Sequence, residues 1–371
     1  MHICFSITAH GFGHGAISCS VINQVIRSFP DCRITVLSKL PASYLQSRIH
    51  GEFAHIPEGH DFGMLMHSPI RVNVEASSSN YLQLLKEWDS CVESEKRCLA
   101  DIKPDLLISN ISPVSLAAAK SLGIKTASVA PFNWAQIYQA YCLDEQNPQS
   151  QQMYQRMNHV YSNVDYIFKP MPSVPDISHR EIHIASIASQ PDRPPLSLLA
   201  TNKLDAQKNI LFALGGFPMP MALSQLPEMA GWQWLVDQKV SEQRSDLRHI
   251  AGLSLSFLQL LASSDVIITK PGYGSYCEIA ALAKHKKVRV LSLTRPDWPE
   301  TPYLNAFLKE RVPFMEIDLS DLANGRLAKL IRKLSELPYP ETLPCEDGAE
   351  HLVNHLQREF HFMTPKSYSE S

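Results

Sequence analysis

The chain has little that would tie it to a membrane, a nucleic acid or a metal ion. No apolar run among its 371 residues is long enough to span a bilayer, so no transmembrane segment is expected. Lys and Arg number 34 against 37 Asp and Glu, a net charge of −3, which leaves no basic surplus for a nucleic-acid partner. None of the eight cysteines, at positions 4, 19, 32, 91, 98, 142, 277 and 345, stands in a Cys-x-x-Cys pair. That pattern reads as reduced thiols in a cytoplasmic protein and not as a disulfide framework. No Asp-x-Asp occurs, and the i, i+4 pairs His179/His183 and His351/His355 bracket no glutamate in the zincin manner, so no metal is expected. No basic stretch precedes the first apolar run, so no secretory signal is expected. Internal repeats and low-complexity segments are also missing.

What is present is ordinary globular composition, 44% hydrophobic and 19% charged, over a length that favours two domains. In the first half, strand-like segments at 2–7, 33–38, 105–109 and 125–129 alternate with helical periods at 16–29, 81–101, 113–122 and 133–141. The second half repeats the alternation, with strands at 209–214, 233–236, 265–269 and 288–293 and helices at 254–263, 275–283, 302–310 and 346–360. Short β-rich runs separated by helical periods predict an α/β fold with doubly wound parallel sheets. Prolines cluster at 170, 172, 175, 191, 194 and 195. The expected organisation is therefore an N-terminal domain at 1–170, a Pro-rich linker at 171–208, a C-terminal domain at 209–345 and a polar tail at 361–371.

Three segments carry candidate chemistry. Thr8-Ala9-His10-Gly11-Phe12-Gly13-His14-Gly15 follows the first strand and precedes a helix. Glycine lets the backbone approach a ligand, and the next helix N-terminus offers N–H groups and partial positive charge. His14 is placed to take a proton from an acceptor hydroxyl; the alternative is that His10 and His14 only satisfy loop backbone groups. Leu214-Gly215-Gly216-Phe217 and Lys270-Pro271-Gly272-Tyr273-Gly274-Ser275 follow strands in the second half, and Glu278 stands within the first turn of the helix that Ser275 opens. A carboxylate there can accept hydrogen bonds from two ribose hydroxyls, or can simply stabilise the positive end of its own helix. In the strand-end loop 294–302, Arg295 suits a phosphate and Asp297 and Glu300 suit sugar hydroxyls, unless the loop is only a solvated, proline-stiffened turn. Asn133, Trp134 and Tyr138 begin an aromatic stripe at helical spacing, which packs a core or stacks on a sugar ring. Two mononucleotide-type units on one ligand are the layout of a transferase acting on an activated nucleotide donor.

These residues resemble the GT-B glycosyltransferase superfamily, and within it the glycosyltransferase-like module at the N-terminus of plant L-arabinokinases and its stand-alone bacterial relatives. The enzyme that adds N-acetylglucosamine to the peptidoglycan lipid precursor is more distantly similar. The matching segments are His10-Gly11-Phe12-Gly13-His14, 105–109 with Pro113-Val114, Phe132-Asn133-Trp134 with Ile137-Tyr138, 212–217, Ala262-Ser263-Ser264-Asp265, 270–278, 295–303 and Asp347-Gly348-Ala349-Glu350. The resemblance implies two Rossmann-like domains facing across a cleft, with the helix at 346–360 crossing back to the N-terminal domain. It implies a nucleotide-sugar co-substrate, UDP-linked, and no separate cofactor. Gly215, Gly216, Gly272, Tyr273, Gly274, Ser275 and Glu278 would hold the nucleotide. Gly13, Arg295, Asp297 and Glu300 would face the donor sugar and phosphate, and His14 would be the base. His10, Asn110, Asn133, Trp134 and Tyr138 would line the place of an unidentified hydroxyl acceptor. Direct attack by that hydroxyl would invert the anomeric centre. Asn110 stands where the family has an aspartate, and Ile17 where it has an arginine. Both departures favour an alternative to turnover by transfer, a nucleotide-sugar-binding module without catalysis; a nucleotide-sugar epimerase of the same fold is a third reading. No sugar-kinase domain follows, so arabinose phosphorylation is not expected.

Overall fold

The computed structural model describes residues 1–68, 70–175, 180–190, 193–205, 207–215, 219, 221–239, 244–323, 325–341 and 347–360. Gly216, His179, Cys345 and the tail 361–371 lie outside them. The described residues divide into two units, one made of 1–65, 72–188 and 347–360, the other of 66–71 and 189–341. In chain order the elements begin β1 (His2–Ile7), α1 (Phe12–Ser28), β2 (Arg33–Leu37), α2 (Ala42–Arg48), β3 (Ala54–Ile56), β4 (Met66–Ser68), β5 (Arg71–Val72) and α3 (Val74–Ile102). They continue with β6 (Leu106–Asn110), α4 (Pro113–Ser121), β7 (Lys125–Val129), α5 (Trp134–Tyr141), α6 (Pro148–Ser162), β8 (Tyr166–Pro170), β9 (Glu181–Ile184) and α7 (Leu196–Thr201). The rest are β10 (Lys208–Ala213), β11 (Trp232–Val236), β12 (Leu247–His249), α8 (Phe257–Ser263), β13 (Val266–Thr269), α9 (Tyr273–Ala283), β14 (Arg289–Leu293), α10 (Thr301–Lys309), β15 (Phe314–Ile317), α11 (Leu319–Ala323), α12 (Leu327–Glu336) and α13 (Gly348–Glu359).

The first unit is built on a seven-stranded sheet in the order β3-β2-β1-β6-β7-β8-β9, parallel throughout. Every residue of β1 is buried, as a central parallel strand covered on both faces requires. The chain winds outward from β1 to β3, then returns to β6 on the other side of β1. Ile7 pairs with Asn110 at the carboxyl ends of these two strands, so the crevice of the topological switch point opens there.

The loop after β1 is shorter than the glycines suggest. Gly11, at φ 97°, makes the turn, and α1 starts at Phe12, four residues before the expected helix. Gly13 and His14 are therefore helical. Gly15 serves packing: a Cβ there would lie 2.5 Å from the Tyr44 ring.

Residues 171–208 are not the open linker expected from their prolines. They supply β9 to the first sheet and α7 to the second unit. Lys169 and Glu181, both almost fully buried, pair at 3.2 Å across β8 and β9. The helix expected at 346–360 is α13, which packs on α1 and β9. Gly348 donates its N–H to Ser186 O, and a Cβ there would stand 2.0 Å from the Ala185 carbonyl oxygen. His355 sets its ring against Phe168 and Tyr166, so it serves packing and not a metal. Among the described residues no group of His, Cys, Asp and Glu is arranged to hold a metal ion, and no helix is long and apolar enough to cross a membrane.

The second unit carries a six-stranded parallel sheet in the order β12-β11-β10-β13-β14-β15. Its switch point falls between β10 and β13. One face is covered by a cluster that includes Ile210, Trp234, Ile268, Leu291 and, from α12, Ile331 and Leu334. Two parallel α/β sheets are thus the fold class that the alternating pattern predicts.

Candidate functional site

Both switch points are furnished with the segments singled out in the sequence. In the second unit, Ala213 of β10 pairs with Thr269 of β13, so the chain leaves the sheet at Gly215 and Lys270 side by side. Gly215 has φ 66°, a left-handed conformation that disfavours any side chain, and a Cβ there would sit 3.3 Å from Lys270 Cε. Gly272 is the N-cap of α9 in extended conformation, and among the described residues only the Lys270 carbonyl oxygen comes within 4.0 Å of where its Cβ would be. The N-cap of α9 is a glycine, which brings no capping side chain, and no acidic residue stands in its first turn. A helix start of that composition suits an anion.

Because α9 begins at Tyr273 and not at Ser275, Glu278 lies in the second turn, deeper than the sequence spacing suggests. That position removes the simple reading of Glu278 as a partner for its own helix N-terminus, since the dipole effect fades within the first turn. Glu278 is buried, as are Tyr273 and Gly274, while Ser275 is half-exposed. On the next strand, β14, the chain leads into Arg295, which is buried with its guanidinium 3.9 Å from the centre of the Trp298 ring. Trp298 Nε1 donates to Glu300, also buried, at 3.3 Å; Asp297 of the same loop is exposed.

Lys270 had no role assigned from sequence, although it opens the glycine motif. Its ammonium form is disfavoured first by burial and then by the charge of Arg295, which together bring its pKa down to about 7. A buried amine beside a guanidinium is poised to gain a proton when an anion arrives.

In the first unit, His14 stands in the first turn of α1 and is buried. Its Nδ1 lies 2.8 Å from Asn110 Oδ1, and Asn110 Nδ2 donates to the His14 carbonyl oxygen at 3.3 Å. The second bond fixes the amide, so the first is a donation from Nδ1–H and leaves the lone pair on Nε2. Burial lowers the His14 pKa to about 4, only partly offset by the Asn110 bond. His10 accepts at Nδ1 from the Met64 N–H, 3.2 Å away, and packs edge-on to Trp134. Trp134 is fully buried, 5.5 Å from His14 between ring centres, and Nε1 donates to Asp61 Oδ2 at 3.0 Å.

Asn133 and Tyr138 are explained by structure alone. Asn133 is the N-cap of α5, in a capping box with Gln136. Tyr138 is buried with its hydroxyl 2.8 Å from Ser150 Oγ. Ile17 lies in the core. Asp61 was not picked out from sequence, because it stands in an irregular loop with no motif around it. Its contact with Trp134, 73 residues on, ties it to the histidine cluster, and that is a tertiary fact.

No family model matches the chain. It is 23% identical over 357 residues, 94% of its length, to an L-arabinokinase of Arabidopsis thaliana, and it spans 33% of that protein. Among solved structures it is similar to CalG4, the calicheamicin glycosyltransferase, with TM-score 0.60 and 12% identity, covering 98% of this chain and 94% of CalG4. A protein from Listeria monocytogenes described as a UDP-N-acetylglucosamine 2-epimerase superposes with TM-score 0.55 at 12% identity, over 99% of this chain and 98% of that one. The fold is that of the GT-B glycosyltransferases.

Proposed function

We propose that the chain is a glycosyltransferase that moves a sugar from a UDP-linked donor to a hydroxyl acceptor without a metal ion. The observation that carries this reading is the convergence at the second switch point. Left-handed Gly215, the glycine-opened N-terminus of α9, Lys270 and Arg295 stand at the carboxyl ends of the adjacent strands β10, β13 and β14. Backbone N–H groups and two cations are what a leaving diphosphate needs when no metal neutralises it. Glu278 would receive the ribose hydroxyls.

In the reaction, an acceptor oxygen attacks the anomeric carbon as the bond from that carbon to the diphosphate oxygen breaks, so the configuration inverts. The acceptor proton passes to His14 Nε2, and UDP leaves as the anion. The residue test is titration with UDP. Glu278→Gln should weaken binding by about 1–3 kcal/mol, the range for a charge-assisted hydrogen bond. Unchanged affinity would remove Glu278 from the ribose.

A second reading, nucleotide-sugar binding without turnover, is favoured by Asn110. An amide in place of a carboxylate gives the imidazolium no counter-charge. Slow release of UDP from donor without acceptor supports transfer; UDP binding with no release at all supports the second reading. A new nucleotide-sugar species in NMR spectra of donor and protein alone would mark an epimerase instead.

A further inference from the structure

The first switch point holds a narrow polar crevice that no sequence motif announced. It opens at the ends of β1, β2 and β6 and is lined by Ser6, Lys39, Glu58, Asp61, Ser112 and Ser115. Its room is that of about one water-sized group, so a hydroxyl or hydroxymethyl arm enters and a ring does not.

The hydrogen-bond polarity of its floor is set from below. Glu95, almost fully buried on α3, accepts from Ser115 Oγ through one oxygen and from the N–H and Nδ1 of His60 through the other. Ser115 donates downward, so it accepts from Ser6 Oγ at 2.7 Å. Ser6 then has no proton left for the crevice and presents lone pairs. Asp61 does the same. Gly63 N–H reaches Oδ1 at 3.2 Å, Trp134 Nε1 reaches Oδ2 at 3.0 Å and the Thr8 hydroxyl faces the same carboxyl, whose pKa burial raises; of its roughly four lone-pair sites, part remains for a guest. Ser6 and Asp61 thus turn acceptors toward the crevice, with Lys39 exposed at its rim, and the set suits a guest whose hydroxyls both donate and accept. It also lies beside the His10–Trp134–His14 cluster through Asp61 itself.

Resting on the glycosyl-transfer reading, we infer that this crevice is the acceptor subsite, that Asp61 orients the acceptor hydroxyl, and that the acceptor is a compact polyol of the monosaccharide or cyclitol class. A planar aromatic hydroxyl compound has no narrow donating arm to place between Ser6 and Asp61.

The test is ligand-observed NMR saturation transfer on the whole chain with UDP present, using myo-inositol, D-glucose and 4-methylumbelliferone as probes. Saturation transfer to a polyol and not to the phenol is expected. Asp61→Asn, which keeps an oxygen for Trp134 Nε1, should weaken polyol binding about 10- to 100-fold and leave UDP affinity within about twofold. Glu58→Gln, at an exposed position, should weaken polyol binding without a change in melting temperature. A phenol that binds where polyols do not, or polyol affinity indifferent to both substitutions, overturns the inference. A wild-type chain that fails to bind UDP overturns the transfer reading itself, which separates the two failures.

Discussion

Two titratable side chains define the chemistry at residue scale, and both are shifted by burial. His14 has its folded pKa near 4, below the ordinary 6.5, so between those values the unfolded chain binds the extra proton. Stability therefore rises with pH from about 4 to 6.5 and is lost on acidification through that window, by up to about 3 kcal/mol. As a base, His14 stays neutral at pH 5, and kcat at saturating donor should show no acid limb near 6.5, falling only toward pH 4. Asn110→Asp supplies the missing carboxylate, and should move that limb upward by about one pH unit or more. A limb near 6.5 in the wild type, or one that ignores Asn110→Asp, would take the proton transfer away from His14. Lys270 shifts in the same direction for a related reason. Near pH 8 most of the free protein carries the neutral amine, and a bound diphosphate favours the ammonium. UDP binding should then take up close to one proton, and affinity should fall as pH rises above 7, by at most about tenfold per unit. Calorimetry in two buffers of different ionisation enthalpy measures that uptake. Lys270→Met should abolish it, and a heat independent of buffer in the wild type would mean that the amine does not meet the phosphate.

At the scale of elements, two glycines at helix starts make opposite predictions. Gly348 opens α13 against the Ala185 carbonyl, which is backbone and cannot swing aside, so Gly348→Ala should cost about 2–3 kcal/mol of stability by overpacking. Gly272 caps α9 in an extended conformation, φ −168°, and among the described residues only the Lys270 carbonyl oxygen, at 4.0 Å, stands near a Cβ there, so Gly272→Ala should change stability by less than about 1 kcal/mol while weakening UDP binding. Denaturant midpoints and UDP titration on the two variants separate a packing glycine from a ligand-facing one. The sequence shows Gly272 in Pro271-Gly272-Tyr273-Gly274 and Gly348 in Asp347-Gly348-Ala349, and neither context tells which one packs, because the difference lies in what stands near each Cβ position. The same limit explains which elements were legible. Central strands such as β1, β6, β10 and β13 are buried on both faces and read as apolar runs. The edge strands β3, β9, β12 and β15 are short and mixed in character, and the Gln-rich α6 carries a weak apolar stripe, so none of them stood out. In the site, glycine loops and His14 were visible because strand-to-helix junctions have local signatures. Asp61, Lys270 and the polarity of the Ser6–Ser115–Glu95 chain were not, since each acquires its meaning from a neighbour far along the chain.

At the scale of the whole molecule, each unit has its own sheet and its own switch point, and the furnishing of the two differs in kind. The first presents an imidazole and a crevice of serines and carboxyls with Lys39 at its rim, at the ends of β1 and β6; the second presents cations and a glycine-opened helix N-terminus at the ends of β10 and β13. Carboxyls and hydroxyls suit an acceptor's hydroxyls, and cations suit phosphates, so under the proposed function the donor and acceptor sides would be divided between the units by charge. The division predicts where UDP alone should act. A ligand at 100 times its Kd stabilises the state that binds it by about 2.7 kcal/mol. In hydrogen exchange that stabilisation should appear as slowed amides at 214–215, in the first turn of α9 and around Arg295. The first turn of α4, at the other switch point, should exchange at the rate of the free protein, because the crevice beside it sets one cation, Lys39, against the carboxyl groups of Glu58 and Asp61 and so carries no surplus positive charge for an anion. Protection in α4 without protection in α9 would reverse the assignment of donor and acceptor sides, and with it the role given to each cation.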